Sequence, residues 1–94
     1  MAEFEIDLVA TDGKVWSGTA RQLVAPSVDG EMGILAGHTP VLAVLRPGEI
    51  RVYPGEGAVQ RWSVDGGFLS FDENRATIVV DAVSSEPQSA AAAH

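Results

Sequence analysis

Apolar and polar residues alternate from the N-terminus onward. In "EFEIDLVA" (3–10), Phe4, Ile6, Leu8 and Ala10 fall on one face of an extended chain and Glu3, Glu5, Asp7 and Val9 on the other, which predicts a half-buried strand. Asp12-Gly13 signals a hairpin turn. "KVWSGTARQLVAP" (14–26) continues extended, with Gly18 marking a bulge or bend and Pro26 stopping it. Tight turns follow around Asp29-Gly30 and Gly33. "ILAGHTP" (34–40) then brings a short extended piece and a turn in which Pro40 holds Thr39 out of the helical region.

The run Val41–Leu45 is too short for a helix, and its valines predict a buried strand. "RPGE" (46–49) sets Pro47 and Gly48 where a type II turn wants them. Alternation resumes with Ile50 and Val52 inward and Glu49, Arg51 and Tyr53 outward. "GEG" (55–57) closes a hairpin, and Trp62 and Val64 then lie opposite Val59, Arg61 and Ser63. Asp65-Gly66-Gly67 turns the chain into "FLSF", Asp72-Glu73-Asn74 turns it again, and "ATIVVDAV" (76–83) makes the last strand. Roughly eight to ten short strands with closely spaced turn signals predict an all-β sandwich or small barrel. No segment before residue 84 has a helical pattern. Residues 1–83 form one β domain in this reading, and "SSEPQSAAAAH" (84–94) forms a flexible C-terminal tail whose four alanines cannot nucleate a helix.

Composition narrows the function classes. Six basic residues face thirteen acidic ones, a formal charge of −7 with no basic stripe, which argues against nucleic acid and anionic lipid as partners. The chain has no cysteine, so disulfide and thiolate chemistry are excluded. Its longest apolar run, 41–45, is far short of the ~20 residues of a spanning helix, so direct membrane insertion is not expected. "MAEFEIDLV" lacks the positive region of a signal or transit peptide. Any membrane association therefore comes through a protein partner.

Candidate chemistry is sparse. His38 is the one histidine of the β domain and His94 lies in the tail, so no metal-ligand set forms. Ser27, Asp29 and His38 are the residue types of a hydrolase triad, but no G-x-S-x-G elbow carries the serine. Asp29, Glu31 and Glu49 each neighbour a glycine turn, where acidic residues are common for backbone reasons. The glycines form neither G-x-G-x-x-G nor a Walker loop, and Arg46, Arg51, Arg61 and Arg75 are dispersed. No cofactor is expected. Val9, Val59, Val79 and Val83 fall on nominally outer faces, as edge-of-core residues or as a docking surface. The residues alone lead to a small non-catalytic β module that works by protein interaction.

One stretch says more. "GEMGILAGHTPVLAVLRPGEIRV" (30–52) closely resembles the N-terminal domain of the epsilon subunit of bacterial F-type ATP synthase, called delta in mitochondria. That family carries G-E-x-G-I/V-x-x-G-H-x-P, an apolar strand and a K/R-P-G turn, matched here by Gly30, Glu31, Gly33, Ile34, Gly37, His38, Pro40, Pro47 and Gly48. An opening similar to F-x-x-x-V-x-x-D/E-G and a closing "GGFLSFDENRATIVVDAV" extend the likeness over residues 4–83.

The resemblance implies a sandwich of two antiparallel sheets. It implies a non-catalytic place in the central stalk at the cytoplasmic face of the bacterial inner membrane, as a peripheral part of F1. The partners it implies are the gamma subunit and the polar loops of the c-ring. By that analogy Glu31 and His38 contact the ring, while Val59, Val79 and Val83 contribute to the gamma contact. Most bacterial relatives continue into a helical hairpin that binds ATP in some species and inhibits hydrolysis. This sequence stops where the hairpin would begin, so neither property is expected of it. The alternative is a diverged, free-standing β-sandwich module of another complex.

Overall fold

The computed structural model describes residues 2–81 and 83. Nine strands are formed among them: β1 Phe4–Ala10, β2 Gly13–Ala20, β3 Gln22–Ser27, β4 Gly30–Leu35, β5 Val41–Leu45, β6 Gly48–Tyr53, β7 Gln60–Val64, β8 Gly67–Asp72 and β9 Arg75–Val80. The expected tail, 84–94, lies outside the described residues.

Hydrogen-bonded neighbours run β2-β1-β9-β8-β5-β3-β6-β7, with β4 paired to β3 beside this path. The ladder narrows where β5 meets β3. A single residue pair, Ser27 with Leu45, joins the strands there, supported by bonds from Val28 N–H to the Val44 carbonyl and from Arg46 N–H to the Pro26 carbonyl. At this neck the sheet folds over, so β2-β1-β9-β8-β5 makes one layer and β4-β3-β6-β7 the other. Phe4, Ile6, Leu8, Leu69, Phe71 and Ile78 from the first layer meet Leu23, Ile34, Ile50, Val52 and Trp62 from the second in one buried cluster. These are the inward sets that the period-two pattern selects.

Several details depart from the sequence reading: the stretch 14–26 breaks at Arg21 into β2 and β3, and Gly33 is paired with Val24 inside β4 in place of the expected turn. The sheets are not wholly antiparallel, because β1 and β9 run parallel from Glu5 opposite Arg75 to Ala10 opposite Val80. Parallel neighbours need a long connection, and here the intervening strands supply it. The β1–β2 register shifts at Leu8/Val9, opposite Val15, and not at Gly18. Gly18 instead makes room for the ring of Trp16, since a Cβ there would stand 2.7 Å from Trp16 Cζ2. Finally, β5 is buried on one face only: Leu45 is in the core, but Leu42 and Val44 are exposed.

Two turns fix the outline. Glu73 and Asn74, with φ of 51° and 60°, form the two-residue loop between Asp72 and Arg75, a type I′ hairpin turn. Asn74 then ties distant segments together, its carbonyl accepting from Glu5 N–H and its Oδ1 from Gly37 N–H at 2.8 Å. Gly67 has φ +147°, and a Cβ on it would stand 2.1 Å from the carbonyl oxygen of Val79. That start of β8 accepts no side chain.

Candidate docking surfaces

The strands that position His38 and Glu31 set them apart. Glu31 sits beside the β3–β4 turn, opposite Pro26, and near the neck. His38 follows the Gly37 turn beyond the other end of β4, with its N–H on the Leu35 carbonyl. Most of β4, about 13 Å from Glu31 to Leu35 at ~3.3 Å per residue, and the turn after it separate the two positions. Glu31 is held by Arg51, whose Nη2 lies 2.7 Å from Glu31 Oε2. Arg51 Nε is buried without a hydrogen bond, with Glu49 Oε1 4.0 Å away, and Arg61 reaches the same carboxylate from β7. Glu31–Arg51–Glu49–Arg61 is thus a charge-balanced row across the outer face of β4, β6 and β7.

His38 is half-buried and held from two sides. Its ring meets Phe71 edge-on with centroids 5.9 Å apart, and Nδ1 donates to the Thr39 carbonyl at 2.7 Å. The hydrolase combination does not assemble. Ser27 Oγ accepts from Asp29 N–H, while His38 is at the opposite end of β4 and β5. Among the described residues no group of three or more His, Asp or Glu side chains is placed to hold a metal.

The three valines fare differently. Val79 is exposed on the outer face of β9. Val59 is half-buried just before β7, in the other layer, and Val83 packs on the core and pairs with Val64. Around Val79 a row crosses the first layer. Val9 lies opposite Val79, Val79 opposite Phe68, Phe68 opposite Val44, and Val28 is hydrogen-bonded beside Val44. Val28, Leu42, Val44, Phe68 and Val79 are 44–73% exposed, and they are five of the seven exposed large hydrophobic residues among the described ones. Seven scattered side chains would need no explanation, but five contiguous ones make a patch.

The other end of the same face is ionic: Arg75 reaches Glu5 at 2.7 Å and Asp7 at 3.2 Å, and Lys14 reaches Asp7 at 3.5 Å. Sequence reasoning missed Leu42, Val44 and Phe68. The available signal was the unbroken apolar run 41–45 and the Phe68-Leu69 doublet, since adjacent strand residues cannot share a face.

Among the described residues the chain is a helix-free two-layer sandwich with an apolar patch on one outer face. Comparison with known proteins agrees: residues 3–86 match the model of the ATP synthase delta/epsilon chain β-sandwich domain. The chain belongs to that family.

It is 43% identical over 93 residues to the ATP synthase epsilon chain of Micrococcus luteus, covering 99% of this chain and all of that one. With the epsilon chain of Chromohalobacter salexigens it shares 40% over 81 residues, spanning 57% of that relative's length. The fold is that of a chain in the Euglena gracilis mitochondrial ATP synthase, at TM-score 0.85 and 23% identity over 95% of this chain and 56% of that one. A chain of the Tetrahymena thermophila mitochondrial enzyme's central stalk and c-ring structure superposes with TM-score 0.73 at 16% identity, covering 84% of this chain and 63% of that one.

Proposed function

We propose that this chain is a central-stalk subunit of a proton-translocating F-type ATP synthase, peripheral on the cytoplasmic face of the inner membrane, linking gamma to the c-ring. The observation that carries this reading is the apolar row Val28–Val44–Phe68–Val79 on a protein of net charge −7. Such a surface is covered in a stable assembly. Gamma docks there, with Val79 at one end of the row and Val59 and Val83 contributing less, because both are half-buried in or near the other layer.

The ring contact runs along β4. Among the described residues this strand pairs only with β3, which leaves its other edge open, with Glu31 near one end and His38 beyond the other. Glu31, the acidic side chain of that edge, stays 57% exposed while paired with Arg51 and so can also meet basic ring loops, and complementary charge fixes register more than affinity. The work is mechanical: a two-layer sandwich with one close-packed core transmits torque from ring to gamma without making or breaking a bond.

The test is reconstitution with purified gamma and c-ring, read by co-elution and by coupled proton pumping. Co-elution with restored coupling is the expected result. A well-folded chain that ignores gamma would instead be a free-standing module of another complex.

A further inference from the structure

The neck between the layers leaves a strand edge open, and its chemistry indicates how a partner engages it. β5 is bonded to β8 along its whole length, yet on its other side β3 reaches only the last residues of the strand. Backbone direction alternates along a strand. The Val44 carbonyl and the Arg46 N–H both bond toward the β3 segment, so these even-numbered positions face away from β8. Leu42 is the next even position. Its N–H and C=O therefore also point away from β8, on the side where β3 pairs with β5 only at Ser27–Leu45 among the described residues. They open into a groove of about 420 Å³ between β5 and the β3–β4 hairpin, walled by Val28, Met32 and Val41.

We propose that this groove takes an extended segment of gamma, which adds to the edge of β5 as a strand through the Leu42 N–H and C=O. The proposal rests on the gamma reading above and specifies its mode of contact. Two observations choose the occupant. Leu42, Val44 and Val28 both rim the groove and belong to the apolar row, so one partner covers the two without a break. Asp29, at the hairpin tip over the groove, has no cation within 4 Å among the described residues, whereas Glu31 beside it is already paired with Arg51. The added segment thus alternates apolar residues with a lysine or arginine that meets Asp29. Main-chain bonds supply affinity in such strand addition, and alternate side chains supply specificity. Pro40, at the next outward position, has no N–H, so the added ladder is short.

The experiment compares Leu42→Pro with Leu42→Ala in binding to purified gamma. Proline is accepted on an edge strand where the N–H faces outward, and it keeps more apolar surface than alanine. Strand addition makes Leu42→Pro bind at least tenfold more weakly than Leu42→Ala, and Asp29→Asn several-fold more weakly than wild type at low salt only. Amide exchange on the unmodified chain gives a readout independent of any folding defect: the Leu42 amide slows at least tenfold when gamma is bound. Gamma binding with Leu42→Pro equal to or tighter than Leu42→Ala, or an unprotected Leu42 amide in the complex, overturns strand addition while leaving gamma docking intact. Failure of the wild-type chain to bind gamma overturns both.

Discussion

Trp16 and Trp62 stand with ring centroids 5.4 Å apart, although their strands, β2 and β7, are at opposite ends of the hydrogen-bonded ladder. The ladder itself joins the two layers at the neck, the chain crosses between them after β2, β4, β5 and β7, and the indole pair packs across the gap between the ladder's two ends. Trp62 is fully in the core and Trp16 caps it from the rim. Truncating a fully buried Trp costs about 3–5 kcal/mol, so the half-buried Trp16 is expected to cost about 2–3 kcal/mol as Trp16→Ala. Urea unfolding followed by circular dichroism checks this through the midpoint at unchanged slope.

Gly67→Ala is expected to be far more damaging than its size suggests. The new Cβ would meet the Val79 carbonyl at 2.1 Å in a backbone conformation that side chains rarely adopt. A loss on the order of 3 kcal/mol or more follows, enough to unfold much of a marginal domain. Gly13→Ala, with positive φ but open space around the Cβ, isolates the conformational part, on the order of 1–2 kcal/mol. Thermal melts of the two variants side by side separate clash from strain.

Glu31→Gln is expected to leave stability within about 1 kcal/mol of wild type, because Glu31 and Arg51 form a partly exposed surface pair. A reduced c-ring affinity in this variant therefore reports the interface. His38→Ala is different, since it removes an edge-on contact with Phe71 worth roughly 1 kcal/mol. Its ring affinity is interpretable only alongside its own unfolding curve, which is expected to shift downward.

Phe68→Ser removes a side chain 55% exposed to solvent, so monomer stability is expected to change by about 1 kcal/mol or less. If gamma covers the row, the same change lowers gamma affinity by roughly 10- to 100-fold, the equivalent of burying one large apolar side chain. Titration calorimetry with gamma, run beside a melt of the free variant, reads both.

The strands and most of the core were legible because alternation leaves little choice of face: Phe4, Ile6 and Leu8 could not point outward without burying Glu5 and Asp7. The parallel β1–β9 pairing was not legible, since period-two patterning specifies a face and says nothing of which strand lies alongside. The bulge was misplaced for a related reason. Gly18 has the composition of a bulge, but what determined its position was the Trp16 ring folded back upon it. The docking surface was half-legible. Val79 came from alternation alone, whereas Leu42 and Val44 were hidden in a run that looks the same whether buried on both faces or one. The motif residues Glu31 and His38 gave the family but not their separation by the length of a strand.

The position of β1 between β2 and β9 has a consequence for synthesis on the ribosome. A strand whose lasting neighbour is residues 75–80 cannot be completed while the chain is still growing through its middle. The hairpins β1–β2, β3–β4 and β6–β7 can assemble early from local partners, but the first layer keeps an unpaired edge along β1 until β9 emerges. Contacts this distant in sequence slow folding, and an open strand edge invites pairing with other nascent chains. The interval before residue 80 is made is when this domain is most exposed to mispairing.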